Sequence, residues 1–356
     1  MLDKSRILVL SPKKYSITDE LIAVMENISS NVTHYDIRDY ILKRDIKINT
    51  QIFRLPNKYR LPWEQYFFNK INTQLKDIII KEDPELVLIY NNEFFLPETI
   101  EFIKKRKIKV IFFLGDNPYY TPSNKYNLYI LKYADLILCP DSFWKQQLNS
   151  IGINTVKSFY LGLTEEYKIL STEELLSYQN IRDTDLLYVG MSYPNTWGLK
   201  KAMFMDSFSE YDFTIYGNSH WKKWFKLYPQ LENKFVQSDF IPTKRLNAML
   251  NKTKIVPIDG NPGLLNGFHV RLTEVLSAGV FPLHEYRYDI NNIFLKESDV
   301  KLPLIDGKKK PSEIVRYYLK NEDERKEIIQ MIRLFIQQQY TANKNANRIQ
   351  SFLNER

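Results

Sequence analysis

Short apolar runs rich in branched residues recur along the chain, with helical patterns between them. The runs lack the regular polar alternation of a strand with one face in water. They occupy residues 7–10, 86–90, 110–114, 136–139, 186–189, 213–216, 255–258 and 280–283. Between the first two runs, Leu21, Val24, Met25 and Ile28 have the spacing of an amphipathic helix. The alternation predicts an α/β protein with buried parallel strands.

The length of 356 residues favours two domains over a single core. A polar stretch at 171–185 precedes a fresh strand, so we predict an N-terminal domain at 1–170 and a C-terminal domain at 184–325. Ile328, Ile332 and Ile336 mark one helix face. Residues 326–356 are therefore predicted to be terminal helices that return toward the N-terminal domain. Two such domains imply a cleft, with ligands at the carboxyl ends of the strands.

The charge balance points to an anionic partner. The chain has a net charge of +8 and an isoelectric point near 9.1. Nucleic acid, an anionic membrane surface and a phosphorylated small molecule all fit that balance. The densest basic cluster, at 104–109, lies between a helix end and a strand. A solvated helix terminus explains this cluster better than a binding patch does.

Compartment and redox state are indicated by the single cysteine and the N-terminus. Cys139 is the only cysteine, which excludes an internal disulfide and a cysteine-based zinc site, and its apolar run predicts a core position. The N-terminus turns polar too early for a signal peptide, and no apolar stretch approaches the roughly 18 residues of a membrane span. We expect a cytoplasmic protein, and peripheral membrane contact is compatible with that location.

A glycine-rich segment is the strongest candidate for chemistry. Four of the 11 glycines lie between residues 260 and 279, and a helical pattern there carries His269, Arg271 and Glu274. Backbone amides at such a helix start can hold a phosphate. Glu274 could accept both hydroxyls of a ribose, or it could be an exposed helix residue. Arg271 could clamp a phosphate, or it could form an exposed ion pair with Glu274.

Asp116 is the best candidate for acid/base chemistry. It follows an apolar run and precedes Asn117 and Pro118, so it is expected at the carboxyl end of a strand. Partial burial would raise its pKa toward working pH. The alternative is an aspartate that caps a turn. His34 and His284 are interpreted as structural, and no histidine and carboxylate cluster has the spacing of metal ligands.

A family resemblance follows from these residues. Residues 266–279, NGFHVRLTEVLSAG in one-letter code, resemble the donor-site segment of two-domain GT-B glycosyltransferases, in particular those of the glycosyltransferase group 1 family. The arginine three residues before the glutamate resembles the CgeB-like, spore-maturation branch. Further similar segments occur in the same order at 185–190, 214–217 and 253–258, and in the first domain at 113–118 and 134–141; the likeness is looser before residue 110. The resemblance implies two Rossmann-like domains with a cleft between them.

The resemblance also implies roles for individual residues. Glu274 would hold the donor's ribose, Arg271 would face the diphosphate or the sugar, and the loop after Gly190 would approach the phosphates, with Lys200 or Lys201 as partners. The alternative for either lysine is a surface charge. The family's first glutamate is replaced here by Asn266, and a loop glycine by His269. The predicted donor-site residues are Gly190, Gly217, Trp221, Asn266, Gly267, Phe268, His269, Arg271 and Glu274. The predicted catalytic residues are Asp116 and His269.

The function implied is transfer of a sugar from a nucleoside-diphosphate sugar to an unknown acceptor, without a metal or other cofactor. The donor would bind the C-terminal domain and the acceptor the N-terminal domain, with closure excluding water. If the sugar is inverted, Asp116 would deprotonate the acceptor hydroxyl. Nucleic acid is not expected as a partner. The alternatives are a nucleotide-sugar epimerase and a non-catalytic glycosyltransferase-like binding protein. Trp221 is interpreted either as part of a nucleobase pocket or as core.

Overall fold

Twelve strands are present in the described parts of the chain. The computed structural model describes residues 4–13, 16–52, 54–92, 94–119, 125–178 and 180–355. The strands are β1 Ile7–Leu10, β2 Val32–Tyr35, β3 Leu86–Tyr90, β4 Lys109–Phe113, β5 Leu136–Cys139, β6 Val156–Ser158, β7 Thr184–Val189, β8 Phe213–Gly217, β9 Phe235–Gln237, β10 Thr253–Ile258, β11 Phe281–Glu285 and β12 Leu304–Ile305.

Helices alternate with these strands, which confirms the α/β prediction. The α-helices are α1 Ser16–Glu26, α2 Lys43–Ile52, α3 Asn57–Glu82, α4 Pro97–Lys105, α5 Asn127–Leu131, α6 Ser142–Ser150, α7 Thr172–Leu176, α8 Thr196–Asp206, α9 Thr243–Asn251, α10 Arg271–Ser277, α11 Pro311–Lys320, α12 Glu322–Gln339 and α13 Ala342–Asn354. Shorter 3₁₀ or π turns cover Ile37–Tyr40, Ser219–Trp224, Pro229–Lys234 and Ile290–Phe294. No helix in the described ranges combines the length and apolar character needed to span a bilayer.

The chain divides into two units, Met1–Tyr160 with Ala342–Arg356, and Leu161–Thr341. Their limits differ from the predicted domains, because residues 161–170 and α12 both belong to the second unit. Only α13 joins the first unit, where it packs against α1. Asn345 Nδ2 donates to the Tyr160 carbonyl oxygen at 3.2 Å, and Lys157 Nζ lies 2.5 Å from Glu355 Oε2. These contacts connect the end of the chain to the last strand of the first sheet.

Each unit contains one six-stranded sheet, and all neighbouring strands are parallel. The first sheet has the order β2-β1-β3-β4-β5-β6, and the second has the order β12-β11-β10-β7-β8-β9. The four strands absent from the sequence prediction, β2, β6, β9 and β12, are the four edge strands. Their side chains are largely half-buried or exposed, so they form no continuous apolar run.

The cores lie between each sheet and its helices. The inner strands β1, β5 and β10 are buried along most of their length, and Cys139 at the end of β5 is fully buried, with its thiol donating to the Asp141 carbonyl oxygen at 3.1 Å. This confirms the predicted core position of that cysteine. Helix α10 is anchored at its carboxyl end by Arg333, whose guanidinium donates to the carbonyls of Leu276 and Ser277. A cation at that end also stabilises the helix dipole.

Candidate functional site

The second sheet has a topological switch point between β7 and β10. The chain forms β7 first, adds β8 and β9 on one side, and then adds β10 to β12 on the other. Because the connections diverge there, a crevice opens at the carboxyl ends of β7 and β10, where open α/β sheets bind ligands. Gly190 directly follows β7, and Asp259 directly follows β10. Two segments selected from the sequence therefore meet at this edge.

Close packing at this edge of the sheet involves Gly190, Gly217 and Trp221. The Trp221 indole Nε1 donates to the Gly190 carbonyl oxygen at 2.9 Å. A Cβ on Gly217 would lie 2.4 Å from both that oxygen and the indole nitrogen, so only glycine fits without displacement. Trp221 is fully buried, which favours the core alternative over a nucleobase wall. Asn218 exchanges two hydrogen bonds with the backbone of Ser192 and fixes the loop after β7.

A buried charged cluster lies beside the switch point. Lys201 Nζ is 3.0 and 2.9 Å from the two carboxylate oxygens of Asp259, and the Tyr188 hydroxyl donates to Asp259 Oδ1 at 2.6 Å. Burial raises the pKa of Asp259, but the charge of Lys201 and the hydrogen bond from Tyr188 outweigh burial, so the pKa of Asp259 is lowered. Burial, and next the charge of Asp259, raise the pKa of Tyr188 well above its ordinary value.

A second charge pair, between Lys200 and Glu285, contacts the backbone of Gly260, the first glycine of the glycine-rich segment. The carboxylate of Glu285 accepts from the backbone N–H of Gly260 and from Lys200 Nζ. Lys200 Nζ also donates to the Gly260 carbonyl oxygen at 2.9 Å. A Cβ on Gly260 would lie 1.7 Å from Arg287, so the loop backbone lies directly against that guanidinium. Lys200 is therefore paired with Glu285, as Lys201 is with Asp259, and Lys201 is too buried for the surface-charge alternative.

Arg271 and Glu274 form a largely buried ion pair in the first turn of α10. Arg271 Nη1 lies 2.9 Å from Glu274 Oε2, and their side chains are 22% and 6% exposed. The alternatives of an exposed glutamate and an exposed ion pair are therefore wrong. Burial lowers the pKa of Arg271, but the charge of Glu274 and the neighbouring Tyr167 raise it overall.

Tyr167 belongs to this group, although sequence reasoning missed it. Its side chain is buried, and burial followed by the charge of Glu274 raises the pKa of Tyr167 to about 12. Tyr167 remains a neutral phenol and interacts with the guanidinium of Arg271. An isolated tyrosine before a predicted linker carries no motif, so the sequence offers no signal for it.

His269 is held as a neutral imidazole before α10. Its Nδ1 accepts a hydrogen bond from the backbone N–H of Arg271 at 3.0 Å, which places the ring proton on Nε2. The residue as a whole is exposed. Burial of its imidazole ring, followed by the positive charge of Arg271, lowers the pKa of His269 to about 4. The amides of Leu272 and Thr273 donate to the carbonyls of His269 and Val270. The backbone N–H groups of 271–273 were expected to face a phosphate. All three are already hydrogen-bonded within the turn.

The residues before His269 anchor the loop. The carbonyl oxygen of Asn266 accepts from the backbone N–H of Asp289 at 3.0 Å. Gly267 is buried, and the Phe268 ring packs 4.8 Å from the ring of Phe294. These contacts fix the position from which His269 and Arg271 extend.

Asp116 lies in the first unit, at the carboxyl end of β4. Asn91, which has a left-handed backbone with φ of 54°, donates from Nδ2 to Asp116 Oδ2 at 2.9 Å. Its Oδ1 accepts from the backbone N–H of Gly115 at 2.8 Å. Asp116 is exposed, so the expected partial burial is wrong. The turn amide of Tyr119 donates to Asn117 rather than to Asp116, which disfavours the turn-capping alternative.

The two histidines interpreted as structural differ in burial. His34 Nε2 lies 3.1 Å from the Ser11 hydroxyl, across β1 and β2. His284 is fully buried at the end of β11, and its Nδ1 lies 2.5 Å from the Glu285 carbonyl oxygen. Burial lowers the pKa of His284 to about 3. His284 is therefore a neutral core residue directly beneath the candidate site.

Comparisons with known proteins agree with this architecture. Residues 200–351 match the model of a family described as glycosyl transferase-like. Sucrose-phosphate synthase from Thermosynechococcus elongatus is 8% identical, with a TM-score of 0.67 over 99% of both chains. Anabaena HepE in complex with UDP-glucose is 12% identical, with a TM-score of 0.66 over 99% of this chain and 100% of HepE. A glycosyltransferase from Rickettsia africae is 12% identical, with a TM-score of 0.64 over 99% of this chain and 98% of that one.

No curated protein matches the chain by sequence. At such low identities the structural likenesses establish the fold alone. The matched family segment begins in α8 and includes Asp259, His269, Arg271 and Glu274. The chain therefore has the GT-B fold, and its residues 200–351 form a glycosyl transferase-like segment.

Proposed function

We propose that the protein transfers a sugar from a nucleoside-diphosphate sugar to an acceptor hydroxyl. One observation carries the proposal: the buried Arg271–Glu274 pair lies beside the switch point of the second sheet, inside the glycosyl transferase-like segment. A cation and a carboxylate in that position suit a ligand with both phosphates and ribose hydroxyls. HepE, which shares the fold, was crystallised with UDP-glucose.

Glu274 would accept hydrogen bonds from the two ribose hydroxyls of the donor. Arg271 would bind the diphosphate, and its planar guanidinium can form two parallel hydrogen bonds to phosphate oxygens. His269, neutral and protonated at Nε2, would donate one further hydrogen bond to a phosphate oxygen or to the sugar. Asn266 would bind a sugar hydroxyl as a neutral amide, and the backbone of Gly267 and Phe268 would border the sugar.

The transfer step needs a base and a stabilised leaving group. In our proposal the acceptor oxygen attacks the anomeric carbon while the bond from that carbon to the diphosphate oxygen breaks. Asp116 takes the acceptor proton, which gives inversion of the sugar. The negative charge that develops on the leaving diphosphate is stabilised by Arg271 and the Nε2–H of His269. We propose that these groups act without a metal ion.

The narrower assignment is to the CgeB-like branch. It is supported by the arginine three residues before the glutamate, because those two side chains form the buried pair. A cytoplasmic location belongs to the same proposal and is consistent with Cys139 forming no disulfide. The acceptor is proposed to bind the first unit, near Asp116.

Calorimetric titration of donor candidates into Glu274→Gln tests the proposal. Glutamine keeps the size of the side chain but loses the charge, and hydrogen bonds to a charged group contribute about 1.5–3 kcal/mol each. We expect the affinity for the donor to fall at least roughly tenfold. The matched control is Glu313→Gln, since Glu313 lies in the first turn of α11 and is exposed. Equal donor affinity in wild type and Glu274→Gln would refute the site assignment.

Product analysis separates the proposed reaction from the two alternatives. The same donor is incubated with and without acceptor extracts, using wild type and Asp116→Asn. Transfer that requires acceptor and is lost in Asp116→Asn supports the proposal. An epimerised donor formed without acceptor would instead identify an epimerase, and donor binding with no turnover would identify a binding protein.

A further inference from the structure

A short segment of the first unit carries most of the net charge of the chain. Residues 42–62 contain six lysines and arginines and one carboxylate, a net +5 out of +8 for the protein. The carboxylate, Asp45, is buried and lies 3.2 Å from Lys70 Nζ and 3.5 Å from Arg44 Nε. Within 42–52 and 54–62, every exposed charged side chain is therefore cationic. Such a one-signed surface attracts an anionic partner.

Large apolar side chains are exposed among these cations. They are Leu42, Leu55, Tyr59, Leu61 and Tyr66, and each keeps between 45% and 56% of its surface exposed. We call these five residues and the cations of 42–62 the α2–α3 surface. Glu64 lies within the same stretch, is 28% exposed and is 3.2 Å from Arg60 Nε, so residues 42–66 carry a net charge of +4. Lys58 lies over the Tyr59 ring at 4.7 Å, so apolar and cationic groups alternate at close range. Single exposed apolar residues are ordinary, but such a concentration marks an interaction site.

The amino-terminal half of α3 extends beyond the sheet. Helix α3 has 26 residues, about 39 Å, whereas the five residues of β3 span about 17 Å. Asn72 Nδ2 donates to the Phe94 carbonyl oxygen at 2.8 Å, and the backbone N–H of Leu96 donates to Asn72 Oδ1 at 2.9 Å. These bonds fix the middle of α3 level with the loop after β3. About 22 Å of helix therefore projects past the carboxyl edge of the first sheet.

The amino-terminal half of α3, which projects past the sheet, is packed on one side only. Phe67 and Ile71 are buried, and α2 packs against α3. On the opposite side, Lys58, Tyr59, Pro62 and Tyr66 are exposed along the helix. The projecting helix is therefore held rigidly while its outer side stays open to a partner.

We propose that the α2–α3 surface docks onto an anionic lipid bilayer. Exposed leucines gain free energy by burial at the boundary of headgroups and acyl chains, while the surrounding lysines and arginines bind the headgroup phosphates. A nucleic acid would satisfy the cations but would leave the three leucines in water, so the leucines favour lipid. The inference does not depend on the sugar transfer proposed above.

Vesicle co-sedimentation tests the electrostatic part of the proposal. Wild type is expected to bind vesicles of phosphatidylcholine mixed with phosphatidylglycerol, and to bind pure phosphatidylcholine much more weakly. Lys47→Glu/Lys58→Glu should lower the partition coefficient about 30-fold or more, because each cation near the surface contributes about fivefold. Lys226→Glu/Lys309→Glu, in exposed positions of the second unit, changes the net charge equally and should bind like wild type.

A second variant tests the apolar part. Leu55→Ser/Leu61→Ser should weaken vesicle binding roughly tenfold or more. Its matched control is Leu227→Ser/Leu334→Ser, at leucines of the second unit that are 62% and 55% exposed. Circular dichroism checks that all variants remain folded. The proposal is overturned if wild type does not bind the anionic vesicles, or if either control loses as much binding as its partner variant.

Discussion

Replacing Lys201 by methionine tests whether the charged cluster at the switch point is a structural unit. The side chains of Lys201 and Asp259 are 10% and 8% exposed, and Tyr188 completes the cluster. Lys201→Met leaves the Asp259 carboxylate buried with one neutral hydrogen-bond donor. Breaking a buried ion pair by removing one partner costs about 3–5 kcal/mol. We expect a loss of that size in the free energy of unfolding of the second unit.

A second substitution separates the cost of the unpaired charge from the cost of lost packing. In Lys201→Met/Asp259→Asn the charge is removed from both partners, and the asparagine oxygen still accepts from Tyr188. Because no unpaired charge remains, the double variant should be more stable than Lys201→Met alone by about 2 kcal/mol or more. The neighbouring Lys200 supplies a control, since its side chain is 34% exposed and solvent screens its pair with Glu285. Lys200→Met should cost about 1 kcal/mol or less.

Urea unfolding followed by circular dichroism measures these differences at neutral pH. A midpoint change with constant denaturant dependence reports stability directly. If Lys201→Met is no less stable than Lys200→Met, or the double variant is no more stable than Lys201→Met, the reasoning fails. Donor titration of the double variant adds a functional measurement. Since Asp259 already neutralises Lys201, we expect donor affinity close to that of wild type.

Two further predictions concern acid stability and close packing. In the folded chain the pKa of His284 is lowered to about 3. As the pH falls below about 6.5, this histidine therefore takes up a proton in the unfolded chain first, and the free energy of unfolding decreases. His284→Asn, which keeps a donor for the Glu285 carbonyl, should therefore recover about 2 kcal/mol at pH 5, and equal pH profiles would contradict this. Gly217→Ala should cost about 1–3 kcal/mol by displacing Trp221, whereas Gly263→Ala, whose Cβ would approach nothing closer than 3.2 Å, should be nearly neutral in thermal unfolding.

The inner strands could be predicted from the sequence because burial on both faces requires a continuous apolar run. The eight predicted runs overlap the eight inner strands, with ends shifted by one or two residues in β4, β7, β8, β10 and β11. The edge strands are different because one side of each has no neighbouring strand. β9, for example, exposes Val236 and Gln237, and its pairing with β8 follows from topology rather than from its own residues.

The candidate site was predictable only where its residues are close in sequence. Arg271 and Glu274 lie one helical turn apart, so their pairing could be considered from spacing alone, although their burial could not. Asp259 is 58 residues from Lys201 and 71 from Tyr188. Their contact depends on β7 and β10 becoming neighbours, which requires the order of the whole sheet. Lys201 therefore resembled a surface charge in the sequence.

The pairing of charges at this edge also means that neither of the two groups proposed to bind the donor is buried without an opposite charge. An unpaired Arg271 in this buried position would destabilise the fold, and so would an unpaired Glu274. Together they are stable, and each keeps its side chain near the position from which it would bind phosphate or ribose. In the proposed complex the donor offers both partners new hydrogen bonds at once, so little ordering of side chains remains to oppose binding.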